Sequence, residues 1–114
     1  MTVAAADLAG TYKGSYSGSA GASGEFRISL TQSSGTWKAD VTFNLGEDIK
    51  AKVTSVEVDG LKIKVVYQFD FQGATLESTA TAELKGDKFD GSYTTKSVPD
   101  SSSVDQGTWT ATRQ

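Results

Sequence analysis

From Leu61 to Phe71 the chain reads Leu-Lys-Ile-Lys-Val-Val-Tyr-Gln-Phe-Asp-Phe, with an apolar or aromatic residue at every odd position. A period of two is the mark of a β-strand with one face in a core and the other in water. Most of the chain follows the same rule, so nearly every residue can be assigned an inside or an outside.

Read this way, the 114 residues predict about eight strands in a single domain spanning 1–114. The first runs from Leu8 to Ser17 and points Tyr12, Gly14 and Tyr16 one way. The second, Glu25 to Gln32, turns Phe26, Ile28 and Leu30 inward, and the third, Thr36 to Leu45, does so with Trp37, Ala39, Val41, Phe43 and Leu45. The fourth starts with Ile49, Ala51 and Val53 inward, then changes phase to Val56 and Val58. A one-residue phase change places a β-bulge near Thr54 and Ser55. Asp59 and Gly60 then predict a two-residue hairpin turn. The sixth strand, Thr75 to Leu84, faces Leu76, Ser78, Ala80, Ala82 and Leu84 inward. Phe89, Gly91 and Tyr93 line the seventh, and Trp109, Ala111 and Arg113 line the eighth, Gln106 to Arg113. No helical periodicity of useful length interrupts the series. The expected fold is therefore all-β, an eight-stranded antiparallel up-and-down barrel.

If the strands alternate in direction, the tight turns at 33–35, 59–60 and 85–87 gather with both termini at one end. The Gly/Ser/Pro-containing loops at 17–24 and 96–104 gather at the other, which becomes the mouth.

Composition narrows the chemistry. The chain has no Cys and no His, which removes thiol nucleophiles, disulfides, zinc sites built on nitrogen or sulfur, and His-based acid–base catalysis. A formal charge of −3 offers no basic face for nucleic acid, and no apolar run reaches membrane-spanning length. With the faces assigned, no Asp, Glu or Lys is expected inside. The interior polar groups are the hydroxyls of Tyr12, Tyr16, Tyr67, Tyr93 and Ser78, the indoles of Trp37 and Trp109, and Arg113. An ordinary acid–base enzyme is disfavoured, because paired interior carboxylates are missing. No cofactor or metal is implied: Glu47, Asp48, Asp100 and Asp105 lack EF-hand spacing and read as solvated loop acids. The outward threonines Thr79, Thr81, Thr94, Thr108, Thr110 and Thr112 read as ordinary exposed strand residues, and the low-charge face of strands six to eight is a candidate for weak self-association. Ala4, Ala5 and Ala6 before Asp7 read either as the stub of an export signal or as a short lead-in to the first strand.

Gly10-Thr11-Tyr12 at the start of the first strand, with Trp109 and Arg113 in the last, resembles the lipocalin or calycin superfamily. Members begin with Gly-x-Trp, and an Arg from the last strand packs across that aromatic at the closed end. Here Tyr stands in the Trp position. The rhythm of the whole chain is similar to small bacterial lipocalin-like domains. The resemblance implies a structural plug of Tyr12, Trp109 and Arg113, and it says almost nothing about function.

The expected activity is non-catalytic binding of a small hydrophobic or aromatic molecule at the open end. Its candidate lining is Tyr16, Phe26, Phe43, Tyr67, Phe69, Phe71, Leu76, Ser78 and Tyr93. Two alternatives stand beside it. A barrel filled by its own side chains would serve as a structural or accessory module, and a cavity worked by tyrosines would be a cyclase or isomerase.

Overall fold

The structure is a computed structural model that describes residues 9–19, 21, 23–33, 35–44, 48–71, 73–98 and 102–114. The lead-in alanines, Leu8, Leu45, Glu47, Pro99 and Asp100 lie outside the described residues. Eight strands follow in chain order: β1 (Gly10–Gly18), β2 (Ser23–Ser33), β3 (Thr36–Asn44), β4 (Asp48–Asp59), β5 (Lys62–Phe71), β6 (Ala74–Lys85), β7 (Lys88–Ser97) and β8 (Ser103–Arg113). Each pairs antiparallel with its sequence neighbour, and β8 returns to β1 to close the barrel. All-β topology is what short turns between amphipathic strands dictate, because antiparallel neighbours need only a hairpin while parallel ones need a long crossover.

The bulge lies where the phase change predicts it, with the β4–β5 register shifting between Val53 and Ser55. The adjacent turn sits one residue later than expected. Asp59 pairs with Lys62, so the two-residue loop is Gly60 and Leu61, and Gly60 carries the left-handed backbone at φ 63°. Glycine at the first loop position accepts that geometry without a Cβ clash.

A second departure lies at the β3–β4 seam. These strands pair only from Val41 with Ala51 to Asn44 with Asp48, near the mouth, whereas β5 and β6 pair along ten residues. Below Val41 the seam opens. Trp37, Ala39, Val53, Val56 and Val58, all assigned inward by alternation, are therefore half-buried and pack against the core from its edge.

The lower half of the barrel is filled. Tyr12 and Phe89 stack with ring centroids 4.5 Å apart, and Ile28, Leu30, Val41 and Val65 are fully buried around them. Large and small residues alternate across strands here: Val65 faces Ala80, and Phe89 faces Ala111. That interdigitation brings a small barrel to native packing density. At the base, Tyr12 is paired directly with Arg113 across the closing seam. The Arg113 guanidinium lies 5.0 Å from the Tyr12 ring centroid, donates to the Ala9 carbonyl at 2.8 Å and approaches Asp87 at 3.9 Å. Trp109 is placed differently from the plug expected of it. It sits one layer higher, joined to the base through Phe89 at 6.0 Å.

Candidate functional site

Above Trp109 the barrel is not filled. A cavity of about 150 Å³ occupies the upper half, and all nine candidate lining residues border it: Tyr16, Phe26, Phe43, Tyr67, Phe69, Phe71, Leu76, Ser78 and Tyr93. The alternation of β5 raises Tyr67, Phe69 and Phe71 in sequence towards the mouth. Phe43 meets Phe69 edge-on, centroids 4.8 Å apart at 82°, and Tyr16 meets both Phe43 and Tyr93 near right angles at 6.0 Å. Phe26 and Trp109, 4.9 Å apart, form the floor. Edge-to-face contacts of this kind place positive ring edges against negative ring faces and fix the walls without collapsing them.

Four further residues line the cavity that the sequence reading left out of it: Thr95, Val104, Asp105 and Trp109. Asp105 corrects the expectation that no acid faces the interior. It follows the same parity as Trp109 and Gly107, and β8 starts at Ser103 rather than at Gln106. Extending the alternation one step past Gly107 finds it; the Ser-rich stretch before it reads as loop and hides the signal.

Register then gathers the polar groups. Tyr67 pairs with Ser78, Ser78 with Thr95, and Thr95 with Asp105, one inward row across β5 to β8. The Ser78 and Thr95 hydroxyls are 2.6 Å apart, and the Tyr67 hydroxyl hydrogen-bonds to Ser78. These buried hydroxyls satisfy one another, as buried polar atoms must. Among the described residues no buried side-chain polar atom lacks a partner. One row lower, Tyr93 pairs with Gly107, which pairs with Gly18 of β1. Its hydroxyl reaches beside Gly18 and donates to Asp105 Oδ2 at 2.9 Å. A Cβ on Gly18 would collide with both the Tyr93 oxygen and the Asp105 carboxylate, so the glycine makes room for this pair. At the mouth the Tyr16 hydroxyl donates to the Asn44 carbonyl.

The electrostatics keep these phenols protonated. Burial pushes the Tyr67 hydroxyl far above its ordinary range, against a smaller opposing effect of Ser78. Burial does the same to Tyr93, reinforced by its bond to Asp105 and the negative charge there. Tyr16 is raised by burial and then by Asp105, and Tyr12 by burial, partly offset by Arg113. At neutral pH the cavity tyrosines are therefore hydrogen-bond donors and acceptors, not phenolate bases. Among the described residues no group of three or more acids could hold a metal ion, and no helix is long and apolar enough to cross a membrane.

No protein-family model and no curated protein matches this chain.

Proposed function

We propose that this barrel binds one small apolar or aromatic molecule, without catalysis, in the cavity at its open end. The observation that carries the reading is an unfilled volume of about 150 Å³ walled by aromatic rings, directly above a barrel half packed solid. An apolar cavity of about this size accepts a single benzene-sized molecule. A one-ring ligand therefore fits inside, and a longer chain would have to protrude through the mouth. Burial against Phe43, Phe69 and Tyr67 supplies affinity, while Ser78, Thr95 and Tyr93 offer orienting hydroxyls. The lipocalin resemblance bears on the barrel that holds the cavity and not on its ligand: Arg113 over Tyr12 is the closed-end arrangement it implies.

The test uses Trp109 as the reporter, because it forms the cavity floor while Trp37 lies at the lower seam. In a Trp37→Phe background, toluene should shift Trp109 fluorescence saturably with a Kd of about 0.1–1 mM, equivalent to about 4–5.5 kcal/mol. No saturable response to toluene, indole or short alkanes would sink the reading. It would leave the structural or accessory module, which the solid lower half favours.

A further inference from the structure

Among the described residues Asp105 is the one formally charged side chain lining the cavity, and no described Lys or Arg lines it. Two tyrosine rings stand beside it. Tyr93 holds it through a 2.9 Å hydrogen bond, and Tyr16 stands close enough to feel its charge. Tyr16 is in turn set nearly perpendicular to both Tyr93 and Phe43, at 82° and 86° with centroids 6.0 Å apart. A carboxylate at the edge of a corner of aromatic rings is a receptor for a positive charge: the carboxylate attracts it directly, and the negative ring faces attract it through their quadrupoles. The phenol of Tyr93 positions the carboxylate without cancelling its charge.

Depth separates two functions along the barrel axis. Phe26, Trp109 and Tyr67 make the lower wall apolar, whereas Asp105 is half-buried beside the mouth. A cation placed there keeps part of its hydration, which avoids the large cost of burying an ammonium outright.

We propose that the preferred ligand is an aromatic ammonium, a single ring seated in the cavity with a protonated amine at the mouth against Asp105, Tyr16 and Tyr93. This rests on the cavity-binding reading above and adds the sign of the ligand's charge. Carboxylate-bearing ligands, fatty acids among them, are excluded by the same group.

The experiment compares benzylamine, benzyl alcohol and benzoate at pH 7 and low salt, read by Trp109 fluorescence in the Trp37→Phe background and by calorimetry. Benzylamine and benzyl alcohol are nearly isosteric and differ in charge. Benzylamine should bind about tenfold more tightly than benzyl alcohol, and benzoate should not bind. In Asp105→Asn, whose amide oxygen can still accept from Tyr93, the benzylamine to benzyl alcohol ratio should fall to about one. Benzylamine binding no better than benzyl alcohol in the parent protein overturns the inference and leaves the cavity reading standing. A preference that survives in Asp105→Asn also overturns it. Silence from all probes, toluene included, overturns the cavity reading and this inference together. If Asp105→Asn does not fold, the parent comparison alone decides.

Discussion

The Tyr93 hydroxyl donates to Asp105 Oδ2 at 2.9 Å, bridging the inner faces of β7 and β8 beside a glycine of β1. The bond holds an acid at the rim of an aromatic cavity, and it closes the barrel where two glycines, Gly107 and Gly18, pair without side chains. Tyr93→Phe removes this donor to the carboxylate. The expected loss is about 1 kcal/mol, reduced from the value of a fully buried charged hydrogen bond because Asp105 is half exposed. Thermal unfolding should fall by about 4–6 °C. Gly18→Ala should cost more, since its methyl displaces both partners at once.

Raising the pH should unfold the protein in one step. All four tyrosines of the chain, Tyr12, Tyr16, Tyr67 and Tyr93, have hydroxyls raised above their ordinary value of 10.0. The unfolded chain releases phenolic protons near pH 10 while the folded one retains them. Stability from these groups is thus complete below pH 10 and is lost as pH climbs towards the folded values. Absorbance at 295 nm should stay flat through pH 10 and then rise steeply together with the loss of β-sheet circular dichroism. A gradual rise centred at pH 10 with intact dichroism would contradict the burial of these hydroxyls.

Arg113→Ala should destabilise the closed end by about 1–2 kcal/mol, measured by urea unfolding. The loss comes from the stacking on Tyr12 and the bond to the Ala9 carbonyl. Asp87 is too exposed for its ion pair to contribute much, so Asp87→Asn should fall within about 0.5 kcal/mol of the parent. Arg113→Lys keeps the charge but not the planar stack, and it should recover less than half of the loss.

Leu76→Trp fills the cavity from β6, opposite Phe69. The indole enters empty volume and displaces no packed neighbour, so the unfolding midpoint should hold within a few degrees while the toluene response disappears. A midpoint lowered by about 10 °C would show that the upper barrel is already packed.

The two-residue period carries one kind of information and not another. Alternation within each strand is local, so Tyr67, Phe69 and Phe71 could be placed on the inner wall, and the bulge near Thr54 could be placed from a change of phase. Asp105 obeyed the same parity, but its strand began inside a Ser-rich stretch that reads as loop. Trp37 and Val53 have inward parity and are only half-buried, because burial there depends on whether β3 meets β4 below Val41, and it does not. The turn at Gly60 moved by one residue because cross-strand pairing, not local propensity, selects the loop.

What the sequence determined by itself is the set of inward residues, the up-and-down order of strands and an aromatic wall towards one end. Only the tertiary structure decided that Tyr67, Ser78, Thr95 and Asp105 share one row, that Trp109 floors the cavity instead of plugging the base, and that the barrel is solid below and hollow above. The physical reason is that side-chain direction repeats along a single strand. Register and enclosed volume, in contrast, are set by all eight strands together once the last one closes on the first.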